Sequence, residues 1–349
     1  MWTFNPNTRS YLKLGRFQAT IYHCVDRIQA QPGMPSESLE RAEQDLCGAV
    51  NAVFTTAPEL QKELAPLNAG THLFGNVADA QHFGRARSQE LLRPPDFPAI
   101  QGPCLIFIGA IDAYKLDLAM LEALIASTPQ WTYVLIGPVG ETDPSTDVDP
   151  LASHSHVHLL GPRPYSELPA YLASADVALL PLQLNDYTRH MYPMKFFEYL
   201  AAGLPVVATD IPSLADQGDV AWLVPPEPMA FEQAIRKALA GEGPTQNQRL
   251  ERAAGHTYRS RTAAMLQCLC QHGLMPEEPL APQAPPYHHV RSQWSRAHLS
   301  ALGRLGPVRI LETLGLAQAA EACLRYWLRR EPGNVTLLAA LAQRRLSVG

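Results

Sequence analysis

Three glycine-dependent signatures are missing from this chain of 349 residues: it has no G-x-G-x-x-G, no G-x-x-x-x-G-K-[ST] and no G-x-S-x-G. Dinucleotide oxidoreductase, P-loop nucleotidase and α/β-hydrolase readings therefore lose their main supports. The six cysteines (Cys24, Cys47, Cys104, Cys268, Cys270, Cys323) show no C-x-x-C spacing and sit mostly in apolar runs, as buried reduced thiols do. No basic-then-apolar segment opens the chain, and no uninterrupted apolar run approaches the length of a spanning helix. Charged residues make up 17% and the net charge is −5, which gives no reason to expect nucleic acid as a partner. The charge is uneven: residues 291–349 hold nine Arg, no Lys and three Glu, so this tail carries +6 and the remainder −11.

What is present suits a globular α/β protein. Its length predicts about two domains, and an apolar content of 46% is enough for a large core. Short apolar strands alternate with helical segments, the pattern of parallel sheets. In residues 1–84 the predicted strands are Ala19–Val25, Ala49–Thr55 and Thr71–Phe74, with helices at Thr8–Gly15, Ser36–Gly48 and Pro58–Leu67. Residues 85–102 are rich in Pro and charge and read as a linker. Residues 103–258 read as a second, doubly wound α/β domain, in which ligands bind beyond the carboxyl ends of the strands. A helix over 259–275, a Pro-rich linker over 276–290 and an Arg-rich helical extension over 291–349 complete the chain.

The most informative stretch is Tyr187–Ile211, YTRHMYPMKFFEYLAAGLPVVATDI. Pro193 suits the first helical position, and Gly203 followed by Leu204-Pro205 suits a left-handed stop. Val206–Thr209 then reads as a buried strand. Lys195 lies in the first turn, where exposed N–H groups already make the potential positive, so a cation there suggests a bound anion. Glu198, one turn on, is an acceptor-only carboxylate able to take hydrogen bonds from a ribose diol. The alternative from spacing alone is an ordinary solvated Lys/Glu pair.

The run PMKFFEYLAAGLPVVATD resembles the segment around the second glutamate of family-4-type glycosyltransferases, which have two Rossmann-like domains facing a cleft, the GT-B arrangement. The resemblance covers roughly residues 1–270 and fits a sub-branch of capsule and teichuronic-acid-like polysaccharide synthesis. It implies that Glu198 binds the ribose of a nucleotide-sugar and that Lys195, with Pro193 and Met194 at the helix start, lies against the diphosphate. His190 stands where many relatives carry another glutamate, beside the transferred sugar. Gly109 and Lys115 after the first strand of this domain, Gly137 after the second, and Gly161 and Arg163 after the third match the other donor loops, although Ala110 stands where an arginine is usual. The segments IYHCVD, VNAVFTTAPEL and FGNVADAQHF resemble only the second half of the acceptor-side domain, so the first domain is expected to be abbreviated, whether as a shortened version, an incomplete start or one whose missing half comes from elsewhere. There His23 and Asp26 are the catalytic candidates, at a strand end expected to face the cleft, and Asn76 the acceptor-side candidate.

Asp147-Val148-Asp149 spells D-x-D but lies among Pro and Ser, which suits a turn better than a metal site. His154, His156 and His158 alternate without a further ligand nearby. No metal or other cofactor is expected. The implied activity is sugar transfer from a nucleotide-sugar to a glycan or lipid-linked acceptor. The expected location is cytoplasmic, with the Arg-rich tail on a membrane surface or a protein partner. A second class stays open: a half-enzyme or degenerate chain that binds a nucleotide-sugar or a partner without catalysis.

Overall fold

The computed structural model describes residues 1–88, 91–100 and 102–275. The Pro-rich linker and Arg-rich extension expected beyond residue 275 lie outside the described residues. Two parallel sheets organise this part of the chain. The first has four strands in the order β1-β2-β3-β4: β1 (Trp2–Thr3), β2 (Ile21–Cys24), β3 (Ala52–Thr55) and β4 (Thr71–Leu73). The second comprises β5 (Cys104–Ile108), β6 (Thr132–Ile136), β7 (Val157–Leu159), β8 (Val177–Leu180), β9 (Val206–Thr209) and β10 (Trp222–Val224). Its six strands run β10-β9-β8-β5-β6-β7, all parallel. Residues of β5, β6, β8 and β9 are buried throughout, because helices cover both faces of such a sheet.

The first sheet is covered from two distant parts of the chain. The Ser36–Cys47 helix buries Leu39, Leu46 and Cys47. From the far end of the described chain, the Tyr258–Gln271 helix lays Met265 and Leu269 on Ile21, Ala52 and Phe54. That returning helix starts with a capping box, in which the Thr257 and Ser260 side chains satisfy each other's backbone N–H groups. The chain passes back beside residue 78: Ala78 pairs with Thr257, and its N–H donates to the His256 carbonyl at 3.1 Å.

Three local expectations are corrected. Pro193 is the N-cap of the Met194–Ala202 helix, one position earlier than expected, with the extended ψ of 115° that a cap residue takes. The Thr8–Gly15 helix is two separate turns, Thr8–Tyr11 and Leu14–Arg16, because Leu12 is extended. The solvated Lys195/Glu198 pair offered as the alternative from spacing does not form, since Glu198 and every other residue from Phe196 to Ala202 are buried. Gly203 does adopt the left-handed stop, at φ 83°. Among the described residues no helix is long and apolar enough to cross a membrane.

Candidate functional site

In the second sheet the chain leaves β5 toward β6 on one side and leaves β8 toward β9 on the other, so the loops after β5 and β8 diverge around a crevice. These two loops are stitched together at its base. The Gln183 N–H donates to the Lys115 carbonyl at 2.9 Å, and the Asn185 amide donates to the Tyr114 carbonyl at 2.7 Å. Gly109, Gly137 and Gly161 come together at the ends of β5, β6 and β7. The Gly109 N–H donates to Ile136, and the Gly137 N–H donates to Gly161 at 3.1 Å. A Cβ on Gly137 would lie 1.9 Å from the Gly109 carbonyl oxygen, so only glycine permits this approach. Asp112, fully buried, braces the β5 loop by accepting the Thr142 and Asp143 N–H groups at 3.1 and 3.2 Å. Its other oxygen lies 3.7 Å from Lys115 Nζ.

Lys195 and Glu198 are paired, Nζ to Oε2, at 2.5 Å. The glutamate is 3% exposed, and the lysine ammonium also sits 5.9 Å over the Phe83 ring. The Phe83 helix (Ala80–Gly84) packs on the Met194–Ala202 helix, and Tyr165 from the loop after β7 stacks on the neighbouring His82 at 4.4 Å. The pair is therefore a buried carboxylate with a partly exposed ammonium, close to the loop after β7. Pro193 is buried and Met194 exposed at the start of the same helix.

Opposite these loops stands a cluster contributed by both domains. Asp26, just past β2, is hydrogen-bonded by Tyr187 and lies near Lys115, yet burial holds its carboxyl up at about 6. The Lys115 ammonium lies over the Tyr114 and Tyr187 rings at 5.0 and 5.7 Å. Beside it, His190 Nε2 meets Glu63 of the first domain at 3.0 Å, while Nδ1 meets the Asp186 carbonyl at 2.6 Å. Arg27 bonds both Glu63 and Asp186, the latter at 3.0 Å. His190 is 2% exposed, engaged by the opposite domain. A cavity of about 380 Å³ opens between the domains, lined by Thr56, Leu73, Gly75, Tyr192, Ser213 and Asp216 among others.

Other expected site residues lie elsewhere. His23 sits on the sheet face under the returning helix, among Trp2, Phe4 and Phe54, and neither ring nitrogen has a hydrogen-bond partner. Burial first, and Arg261 second, lower its pKa to about 4. Side chains alternate along a strand, and position 23 falls on the covered face, not toward the cleft. Asn76 is a strut, donating to the Tyr192 carbonyl at 2.6 Å and accepting from Arg261 at 3.3 Å. Arg163 is held by Asp96 of the linker and by the Tyr171 hydroxyl at 2.9 Å. Asp147 accepts the Asp149 N–H at 2.9 Å in a turn, and His154 and His156 contact Glu122 and the Ile125 carbonyl at 3.5 and 3.2 Å. Asp112, Glu63, Arg27, Tyr187 and Arg261 were not singled out from sequence. Only Asp112 carries a local signal, three residues before Lys115.

Two Rossmann-like domains within one compact unit, with a crevice at the topological switch point of the second, define the GT-B class of fold. Residues 102–257 match the family model for group 1 glycosyl transferases. The chain is 26% identical over 258 residues to TuaH of Bacillus subtilis strain 168, assigned to teichuronic acid biosynthesis as a glycosyltransferase. That match covers 70% of this chain and 64% of TuaH, so the chain spans less than two thirds of this relative's length. It is 38% identical over 73 residues to the amylovoran biosynthesis glycosyltransferase AmsK of Erwinia amylovora, covering 20% of this chain and 18% of AmsK. Among solved structures it is similar to the sucrose-phosphate synthase of Thermosynechococcus elongatus, with a TM-score of 0.57, 22% identity and coverage of 75% and 69% of the two chains. It is also similar to Anabaena HepE in complex with UDP, with a TM-score of 0.55, 16% identity and 72% of each chain covered. Both likenesses concern the fold.

Proposed function

We propose that this protein transfers a sugar from a nucleotide-sugar donor to a glycan or lipid-linked acceptor in cell-surface polysaccharide biosynthesis. The observation that carries this reading is the buried Glu198 paired with Lys195 on the helix that precedes β9. A ribose diol would give Glu198 hydrogen bonds in place of those from Lys195, and the diphosphate would meet the charge of the ammonium. Lys115 and the helix start at Pro193 and Met194 add positive potential at the diphosphate. Gly109, Gly137 and Gly161 keep the ends of β5, β6 and β7 free of side chains so that a donor can approach the backbone, whereas Arg163 fastens the linker through Asp96.

Chemistry follows from the charge that develops. The acceptor oxygen bonds to the anomeric carbon while the bond to the diphosphate breaks, and the electron pair leaves on the diphosphate oxygen. Preorganised cations stabilise that charge without requiring a metal. Asp26, with its carboxyl held at about 6, is the better placed of the two catalytic candidates to receive the acceptor proton. His23 supports the sheet instead. The UDP and UDP-glucose complexes of HepE and the teichuronic acid assignment of TuaH support the donor class and the polysaccharide context. The +6 charge of residues 291–349 supports attachment at an anionic membrane face.

Calorimetric titration of the full chain with UDP, GDP, CMP and ADP, repeated on Glu198→Ala, tests the donor site. Binding of one nucleotide that this substitution weakens is expected, and no binding by a folded chain sinks the assignment. A degenerate, binding-only protein is the second reading, favoured by Ala110 and by the engagement of His190 with Glu63. Nucleotide binding without turnover of the matching nucleotide-sugar, against a panel of glycan acceptors, would select it.

A further inference from the structure

Away from the cleft, the face of the first sheet under the returning helix carries a row of side chains. His23, Phe54 and His72 are register partners across β2, β3 and β4. Met265 and Leu269 cover the middle of that row, so the helix positions next to them reach its outer end at β4, the edge strand. There Cys268 and His272, one helical turn apart and therefore on one side of the helix, meet His72. One ligand atom from each of the three lies within 4.8 Å of the others. Cys268 Sγ and His272 Nδ1 are 3.8 Å apart, and the two imidazole rings are edge-to-face at 4.7 Å. His72 Nε2 is buried and has no hydrogen-bond partner.

That orphaned nitrogen is the independent observation. The unpartnered ring nitrogens of His23 face aromatic neighbours, and His72 differs from it in what stands beside the ring. Here it is enclosed beside a thiol and a second imidazole. A thiolate with two imidazoles is a borderline-soft donor set, suited to zinc-class ions and not to calcium or magnesium. Tetrahedral zinc holds such ligand atoms about 3.5 Å apart, so modest side-chain rotation at this rim closes the set. His272 Nδ1 also lies 2.8 Å from the Cys268 carbonyl, so with Nδ1–H donated there the ring offers Nε2 as its ligand atom.

We propose that His72, Cys268 and His272 form a structural site for one zinc-class divalent ion, with a solvent water as fourth ligand. The ion fastens the returning helix to the edge strand of the first domain. Because that helix begins where the chain crosses back at Thr257, the site fixes the first domain on the segment that leads from the second. It is separate from the donor loops, so its test does not depend on transfer activity.

The test uses the full chain, stripped with a chelator and then titrated with Zn²⁺ against a chromophoric competitor, with Co²⁺ as a spectroscopic probe. One equivalent should bind, the cobalt form should show a thiolate charge-transfer band, and Zn²⁺ should raise the melting temperature. Cys268→Ser should abolish the band and weaken Zn²⁺ binding by about 100-fold or more. His272→Ala, at the exposed end of the helix, should weaken binding while the far-UV circular dichroism stays unchanged. Absence of binding by the folded chain overturns the proposal. So does one-equivalent binding whose affinity is the same in both variants.

Discussion

Lys195 and Glu198 show how burial changes the meaning of a sequence spacing. An exposed pair at this separation contributes about 0.2–0.5 kcal/mol, and losing it is nearly silent. Glu198 is 3% exposed, so removing the ammonium strands a buried carboxylate. Lys195→Ala is expected to lower stability by about 3 kcal/mol in urea titrations, and a loss below about 0.5 kcal/mol would return the pair to an ordinary surface role. Asp26 gives a prediction of opposite sign. Its carboxyl is raised from 3.8 to about 6 by burial, so between these values the folded state binds more protons than the unfolded one. Stability from this group is therefore lost as pH rises from about 4 to about 6. Asp26→Asn should be more stable than the parent at pH 7.5, by on the order of 2 kcal/mol, while sugar transfer falls sharply. In the parent, kcat/KM should decline as pH drops through about 6; a profile flat through that range would remove Asp26 as the base.

At the scale of elements, the Met194–Ala202 helix is positioned by its ends. Gly203 stops it at φ 83°, and the turn is held from outside by Arg249, whose guanidinium donates to the Gly203 carbonyl at 3.0 and 3.2 Å. A Cβ at this position would also meet Gln246 Nε2 at 2.8 Å and Arg87 Cδ at 3.2 Å. Gly203→Ala should cost about 1–2 kcal/mol from the left-handed backbone alone, measured by thermal or urea unfolding. The flexible neighbouring side chains add little. A displaced helix would carry Lys195 and Glu198 together away from the loops after β5 and β7, so nucleotide affinity should fall in the same variant. The first sheet depends on a more distant element. Its Ile21, Ala52 and Phe54 are covered by the Tyr258–Gln271 helix, contributed from the far end of the described chain.

For the molecule as a whole, the contacts that join the domains near the donor loops are polar. Glu63 and Arg27 of the first domain interlock with His190 and Asp186 of the second. His190→Glu, which restores the glutamate usual in the resembling family, would set two carboxylates together at a contact now 3.0 Å long. It should open the domains, read as a larger radius of gyration in small-angle scattering and a lower melting temperature. Glu63→Gln in the same chain should restore both. If His190→Glu leaves scattering and melting unchanged, the clasp does not hold the domains.

The sequence by itself determined the alternation of strands and helices and the helix stop at Gly203. Each of these is written in local chemistry: a fixed φ, a left-handed glycine, short apolar runs between turn residues. The glycines after β5, β6 and β7 were legible too, although only the sheet brings Gly109 against Gly137. Long-range partners were not legible. Glu43 is a helix carboxylate in sequence, yet in the fold it accepts from Tyr22 at 2.6 Å and Gln29 at 2.8 Å. His23 was read toward the cleft, and strand register turned it under the returning helix. His190, Glu63, His72 and Cys268 acquired their partners only when segments separated by a hundred residues or more packed together. Periodicity records which face of an element is apolar, whereas the identity of the opposing side chain is decided by tertiary packing.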